Sequence, residues 1–508
     1  SNAKHLAWVA DADNTSLAFS IAHPVLDWGG DEPVREYDSP GDIVLGPFHG
    51  DWYDAARIYR RWALTAPWCS KGPIYERADY PQWLLRAPYW SIGYMQDEND
   101  VEDELRKQAF FEIPTMVTHL YNYFFPRTLD DRNPEYFPPR FGSAGFKRSV
   151  ERLQSKGIRV VPYVNGSIWD TDTDSYRMEE AEKRGACWSS PAGNAIITTS
   201  YGGGASLAYM CPGSPFWRKK MSDFTAEMVG RYGVDGIYFD FLTDHNSTGA
   251  FNCYNKEHGH PICGGNFWAK AVHDLYGESR AVAKQLNPEA MITGEGIGEY
   301  CIDVHDTFLS LGTTGSSAPL FQAVYHGYTN LYGGVYGRTE PVFLGRWWLM
   351  GCQNGWHGSE VPMSDGRFAS MGRYYRDLLK CRWEFGTPYL GYGEMLRPPK
   401  IEGNIPTISP KNKHGPFTVP LVEGSAWKAP DGTVGLFFLN YDQNNPYDFA
   451  WTVDLAETGI DKSKKVRISR WTQGSGLSRL KDAEGGEFTQ TMRIEPLGVI
   501  ALKLEVVE

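Results

Sequence analysis

No stretch of about 18 consecutive apolar residues occurs in the chain, which excludes a transmembrane helix. Paired CxxC motifs are missing as well. The eight cysteines, Cys69, Cys187, Cys211, Cys253, Cys263, Cys301, Cys352 and Cys381, are scattered, so no metal site is expected. They read as free buried thiols, with a Cys253–Cys263 disulfide as the alternative that spacing leaves open. Phosphate fingerprints are lacking too. No GxGxxG opens a helix after a first strand, the run Gly202-Gly203-Gly204 leads into no helix, and no GxxxxGK[ST] loop is present. The absence of a GxSxG elbow argues against a Ser-His-Asp hydrolase. Basic clusters are scarce: 50 basic against 62 acidic residues give a net charge of −12, which disfavours nucleic acid or an anionic membrane as partner.

What is present is a long, ordinary soluble composition with one excess. The 508 residues suffice for two or three domains, and 42% hydrophobic with 22% charged residues fits a globular protein. Aromatic residues reach 14%, with 18 Trp, 29 Tyr and 25 Phe. Flat faces with polar tips suit sugar stacking, and they equally suit the core of a large barrel. The opening Ser1-Asn2-Ala3 reads as a cloning remnant, so a preceding signal segment is an expectation, and a secreted or periplasmic location follows only from function.

Three regions follow from hydrophobic periodicity. Residues 1–84 read as an accessory β segment (LAWVADA, SLAFSIA, DIVLGPF) with the helix DWYDAARIYRRWAL. Over residues 85–397 apolar strands alternate with amphipathic helices, the pattern of a parallel α/β fold. PYWSIGYM, PTMVTHLYNY, RVVPYVNGSIW, GIYFDF and MITGEG are the first five strands, with PLFQAVYHGY and TPYLGYGEM as later candidates. About eight such units predict a (β/α)₈ TIM barrel rather than an open doubly wound sheet. Residues 398–508 change to β patterns (TVGLFFLNYD, FAWTVDL, KVRISRW, GVIALKLEV), predicting an antiparallel β-sandwich.

Two stretches carry the chemistry. Gly233–Phe241 (GVDGIYFDF) and Ala290–Gly296 (AMITGEG) each read as a buried strand ending in an acid, Asp240 and Glu295, with a long amphipathic helix between them. Barrel active sites lie at the C-terminal ends of the strands, and an Asp and a Glu placed there fit glycosidic bond cleavage. One acid protonates the leaving oxygen while the other stabilises or traps the oxocarbenium centre. The short Asp240 side chain at the rim suits a nucleophile, and the longer Glu295 reaches in from the neighbouring strand.

In these two motifs and in the order of elements from about Pro88 onward, the chain resembles the α-amylase-type clan of glycoside hydrolases and its endo-α-N-acetylgalactosaminidase relatives. That resemblance implies a barrel followed by a β-sandwich, with Asp240 on the fourth strand as nucleophile and Glu295 on the fifth as acid/base. It implies retaining hydrolysis of an α-linked glycoside in an oligosaccharide or glycoconjugate, with no cofactor. The sequence departs from the clan in having Tyr238 where an Arg stands two residues before the nucleophile, and no His-Asp pair marks a seventh strand. A bacterial family with the same barrel layout, outside the amylases proper, fits these departures. α-Galactosidase-like barrels, whose second acid lies on the sixth strand, fit less well.

Candidate substrate-binding residues are Tyr94, Asn165, Trp169, His245, His260, Glu299, His326 and Trp356, all placed near strand ends or in the following loops. Glu299 is also the rival acid to Glu295. His258 and His260 lack an obvious third ligand, so loop structure or substrate contact is the expectation there. Two other readings stand beside hydrolysis with retention: an inverting glycosidase using the same carboxylates, and a non-catalytic carbohydrate-binding barrel. A barrel aldolase or isomerase would need a Schiff-base Lys or a metal cluster at a strand end, which the strands lack.

Overall fold

The computed structural model describes residues 5–10, 17–22, 36, 38, 42–124, 131–199, 204–240, 253–262, 267–310, 318–334, 340–357, 369–412, 415–461, 463–484 and 486–507. Its centre is an eight-stranded parallel sheet. In chain order the strands are Tyr89–Tyr94, Met116–Tyr121, Ile158–Asn165, Gly236–Asp240, Met291–Glu295, Thr307–Ser310, Leu331–Gly333 and Asn354–His357. Each lies beside its sequence neighbour, and the eighth pairs with the first. A parallel bridge from Tyr332 to Gln353 links the seventh to the residue preceding the eighth, so the sheet curls into a nearly closed barrel. Strands buried on both faces need apolar runs rather than alternation, which is why MVTHLY and GIYFD are buried at every position.

Strands one to five coincide with the runs picked out by periodicity. The later ones do not. PLFQAVYHGY is not a strand: Leu320–Tyr325 is helical, and it is apolar because it is sandwiched between the barrel and the helix Trp52–Ala63, whose Arg60 donates to the Val324 carbonyl. TPYLGYGEM forms the end of a π-helical segment, Arg382–Gly391, followed by Glu394–Leu396 in the C-terminal sheet. The true last three strands are only three or four residues long (TFLS, LYG, NGWH), too short for a periodic signal. Likewise, residues 42–48 of DIVLGPF carry no regular structure and are exposed, whereas His5–Ala10 and Leu17–Ala22 pair as a hairpin.

Closure depends on Gly355. Its φ of +129° is open to glycine, and a Cβ there would lie 2.0 Å from the Trp90 carbonyl oxygen on the first strand. Gly355→Ala is expected to cost roughly 2 kcal/mol or more, because backbone rather than a flexible side chain blocks it. A thermal melt within about 1 °C of the parent would contradict that.

From Glu394 onward two antiparallel sheets face each other. The larger contains Glu394–Leu396, Val422–Lys428, Val434–Asn440, Val499–Val507, Lys465–Thr472 and Gly476–Ala483; the smaller contains Lys400–Glu402, Tyr447–Asp454 and Glu487–Ile494. Strand Val434–Asn440 is buried throughout because it serves two cores. Leu436 and Phe438 point between the sheets, with Phe438 packed on Phe449 and Trp451 at 5.3 and 5.6 Å, while Phe437 and Leu439 join the barrel core, where Phe437 meets Trp348 at 5.2 Å. Much of the aromatic excess is structural: at least seven of the 18 tryptophans are fully buried.

Candidate active site

The fourth and fifth strands pair in parallel with Gly236 opposite Met291 and Phe239 opposite Gly294. One step further along each lie Asp240 and Glu295. Side chains alternate across a strand, and the outward set is fixed by the ring of Phe239, 5.8 Å from Tyr276 on the helix Phe267–Leu286. Gly294 also faces that helix, since a Cβ there would lie 2.3 Å from the Tyr276 hydroxyl. Tyr238, Asp240, Thr293 and Glu295 therefore share the inward face, with both acids at its C-terminal rim.

Asp240 is 6% exposed and its carboxylate accepts on both oxygens. Tyr238 donates its hydroxyl to Oδ1 at 2.8 Å, Tyr163 donates to Oδ2 at 3.0 Å, and the Asn165 amide approaches Oδ2 at 3.4 Å. Asn165 also donates to the Tyr163 hydroxyl at 3.0 Å. Three fixed donors hold one carboxylate rotamer, pre-organising the group. Glu295 is half-buried. The hydroxyls of Tyr121, Tyr238 and Tyr332 are pushed well above the ordinary tyrosine range by burial, with the charges of Asp240 and Glu295 adding to the effect, so all three stay protonated. Below them, Trp90 stacks on Tyr332 at 3.7 Å, and His119 sits 4.1 Å from the Tyr238 ring. The Trp356 indole donates to His119 Nδ1 at 2.8 Å, and burial lowers the His119 pKa to about 3, so the imidazole is neutral.

Of the residues expected from sequence, the structure brings Asn165, Trp356 and Tyr94 toward this pair. Tyr94 is 53% exposed at the end of the first strand, its ring 6.1 Å from Tyr121. Four others go elsewhere. Trp169 is fully buried in the excursion after the third strand, capped by the Lys220 ammonium 4.3 Å over its ring, because its strand Ile168–Asp170 pairs with Ser206–Tyr209 instead of lining the barrel mouth. His326 precedes the seventh strand, hence lies at the opposite end of the barrel, buried with Nδ1 2.6 Å from the Gly393 carbonyl. Glu299 accepts from Tyr59 at 2.8 Å and Tyr325 at 2.6 Å, which ties it to the flanking helices. His260 turns into a thiol–imidazole cluster. His245 falls outside the described residues.

That cluster is a grouping that could hold a metal ion and that spacing along the chain does not reveal. The chain folds so that Cys211 and Cys253 meet His258 and His260, with one ligand atom from each within 4.8 Å of the others. Cys211 and Cys253 join the two histidines through tertiary contact rather than local spacing. Cys253 is a free thiol, and Cys263, its partner in the pairing that spacing leaves open, lies outside the described residues.

Tyr163, Tyr238, Tyr121, Tyr332 and His119 surround the acid pair although no motif marks them. The available signal was period two: Tyr163 stands two before Asn165 and Tyr238 two before Asp240, so each faces inward with its neighbour.

The family described as Domain of unknown function (DUF6259) matches residues 37–336. "Putative glycoside hydrolase 22789" of Monosiga brevicollis is 26% identical over 459 residues, covering 78% of this chain and 37% of that protein. A "Putative glycoside hydrolase" of Bacteroides thetaiotaomicron is 28% identical over 334 residues, covering 63% and 47% respectively. The chain thus spans between a third and a half of the length of these relatives. Among solved structures, the ligand-free α-N-acetylgalactosaminidase NagBb from Bifidobacterium bifidum superimposes with a TM-score of 0.54 at 13% identity, covering 77% of this chain and 63% of that one, which indicates a shared fold.

Proposed function

Because this chain belongs to the DUF6259 family and carries two inward-facing acids on adjacent barrel strands, we propose that it is a glycoside hydrolase acting on an α-linked glycoside with retention. The observation that carries the reading is the in-register placement of Asp240 and Glu295 at the C-terminal rim, with Asp240 oriented by three donors. Neighbouring strands are about 4.8 Å apart, a spacing that favours the roughly 5–5.5 Å carboxyl separation of retaining enzymes over the wider gap an inverting enzyme needs for water. The two curated relatives named as glycoside hydrolases support the reaction class. The α linkage rests on the fourth-strand Asp and fifth-strand Glu of the α-amylase-type clan, and on the fold shared with an α-N-acetylgalactosaminidase.

In this reaction an Asp240 oxygen attacks the anomeric carbon as Glu295 transfers its proton to the departing glycosidic oxygen. The C–O bond to the aglycone breaks and a glycosyl ester to Asp240 forms. Glu295, now a carboxylate, removes a proton from water; the water oxygen attacks the anomeric carbon, the ester bond breaks, and both carboxyl groups return to their starting states. Tyr94 and Trp356 supply aromatic faces for the sugar, and Tyr163, Tyr238 and Asn165 are positioning residues.

The test is a panel of aryl α- and β-glycosides, with the first-formed product anomer followed by NMR. Release from an α-glycoside with the α-anomer formed first is expected. An initial β-anomer from an α-glycoside would mean inversion, and activity surviving in both Asp240→Ala and Glu295→Ala would remove the assignment. A finer outcome concerns Tyr238→Phe. Loss of one hydrogen bond to a carboxylate, about 1.5–3 kcal/mol, should lower kcat roughly 10- to 100-fold with little change in KM. A pure KM effect would place Tyr238 in substrate binding instead.

A further inference from the structure

We propose that Cys211, Cys253, His258 and His260 form a closed, structural, tetrahedral site for a zinc-class divalent transition-metal ion, which clamps the loop following the Asp240 strand to the excursion following the third strand. The inference goes beyond the hydrolytic reading and does not depend on it.

Geometry comes first. Zinc holds thiolate sulfur at about 2.3 Å and imidazole nitrogen at about 2.0–2.1 Å, so a tetrahedral S₂N₂ site has edges of roughly 3.3–3.8 Å. Cys211 Sγ lies 3.2 Å from His260 Nε2 and Cys253 Sγ lies 3.4 Å from His258 Nδ1, and all four ligand atoms fall within 4.8 Å of one another. Small inward adjustments of four side chains would complete the coordination shell.

The surroundings also match a metal site. His260 Nδ1 stands 2.8 Å from the Pro261 carbonyl, to which a neutral imidazole donates its proton, leaving the Nε2 lone pair aimed at the cluster. Metal-bound histidines are commonly oriented by such a bond to a backbone carbonyl. The His260 ring is held from the side by Phe267, stacked at 4.2 Å. Cys211, Cys253 and His258 are each 3% exposed or less. Cys187 adjoins both thiols from the excursion's other end and is a neighbour rather than a ligand in this assignment.

The ligand softness selects the ion. Two thiols and two imidazoles suit zinc and disfavour calcium or magnesium, which require oxygen ligands. Four protein ligands leave no open position, the mark of a structural rather than a catalytic zinc.

Placement indicates what the ion would do. Cys187 and Cys211 bracket an excursion closed by the Ala186–Met210 bridge and by the Cys211 amide donating to the Gly185 carbonyl at 2.7 Å. Cys253, His258 and His260 belong to the segment between the fourth strand, which ends at Asp240, and the helix Phe267–Leu286. One ion would cross-link two long connections on the same side of the barrel.

The full-length chain, produced with zinc in the medium and purified without chelator, is the material for the test. Elemental analysis should find about one zinc per chain, and removal by a strong chelator should lower Tm by roughly 5 °C or more. Cobalt added to the stripped protein should develop the visible bands of a tetrahedral cobalt–thiolate centre at about one equivalent. The double variant Cys211→Ser with His260→Gln should lose both metal and bands, while Cys187→Ser should keep them. Zinc below about 0.1 equivalent, with no cobalt–thiolate spectrum from the stripped parent, would overturn the site. So would a Cys211–Cys253 disulfide in the native protein, or metal binding unchanged in the double variant. These readouts follow metal rather than turnover, so a failed glycosidase screen leaves them intact.

Discussion

Asp240→Asn is expected to reduce kcat by roughly 10⁴-fold or more while leaving the fold and substrate affinity in place, because the amide keeps the shape of the carboxylate but cannot form the glycosyl ester. The hydroxyls of Tyr163 and Tyr238 can reorient around an amide, so the site should remain assembled. Glu295→Gln should lose roughly 10²- to 10⁴-fold, the range of general acid catalysis, and the loss should shrink on aryl glycosides whose leaving group needs no proton. Azide should partly restore Glu295→Ala by attacking the glycosyl ester without a general base, giving an α-glycosyl azide. The non-catalytic reading shares the unchanged sugar affinity of Asp240→Asn but expects no turnover in the parent. Kinetics of the parent and the two variants on one activated substrate separate these outcomes.

Acidification from pH 7 to pH 4 should remove about 3 kcal/mol of stability through His119 alone. The sign follows from burial, which lowers the folded-state pKa of His119 to about 3, against about 6.5 in the unfolded chain. Between those values the unfolded chain binds the extra proton, so stability falls as pH drops below about 6.5 and continues to fall toward 3. His305, fully buried and lowered well below its ordinary value by burial and by His273 and Arg280, adds in the same direction. Asp79, held low by Arg77, Arg280 and Lys71 against the opposing effect of burial, contributes only below about pH 4 and is separable by its window. The structural reason for the His119 effect is specific. Its Nδ1 accepts from the Trp356 indole at 2.8 Å, a bond that protonation abolishes, and the resulting charge would sit among Tyr121, Tyr238 and Trp356. Calorimetry across pH 7 to 4 should show Tm declining already above pH 5, with a smaller decline in His119→Gln. A flat Tm down to pH 5 would mean that the imidazole is solvated.

Sequence alone determined the barrel's first five strands and the ordinal places of Asp240 and Glu295. Those strands are long, apolar and bounded by strong helices, so local periodicity reports them directly. The last three are short and owe their position to neighbours: LYG is a strand because Tyr332 lies between the sixth strand and the bridge at Gln353, not because its residues demand it. The tyrosine cage around Asp240 was legible only in part, since period two gives the face but not which hydroxyl reaches which oxygen. Trp169 and His326 illustrate the converse, where residue type suggested a sugar contact and packing buried both. Only the tertiary structure decided the Cys211–Cys253–His258–His260 cluster. Its first two members are 42 positions apart and come from different connections of the barrel, and no local spacing rule spans that distance. Residues whose role depends on their own strand are encoded locally; those that act as pairs across connections acquire the role only when the chain closes.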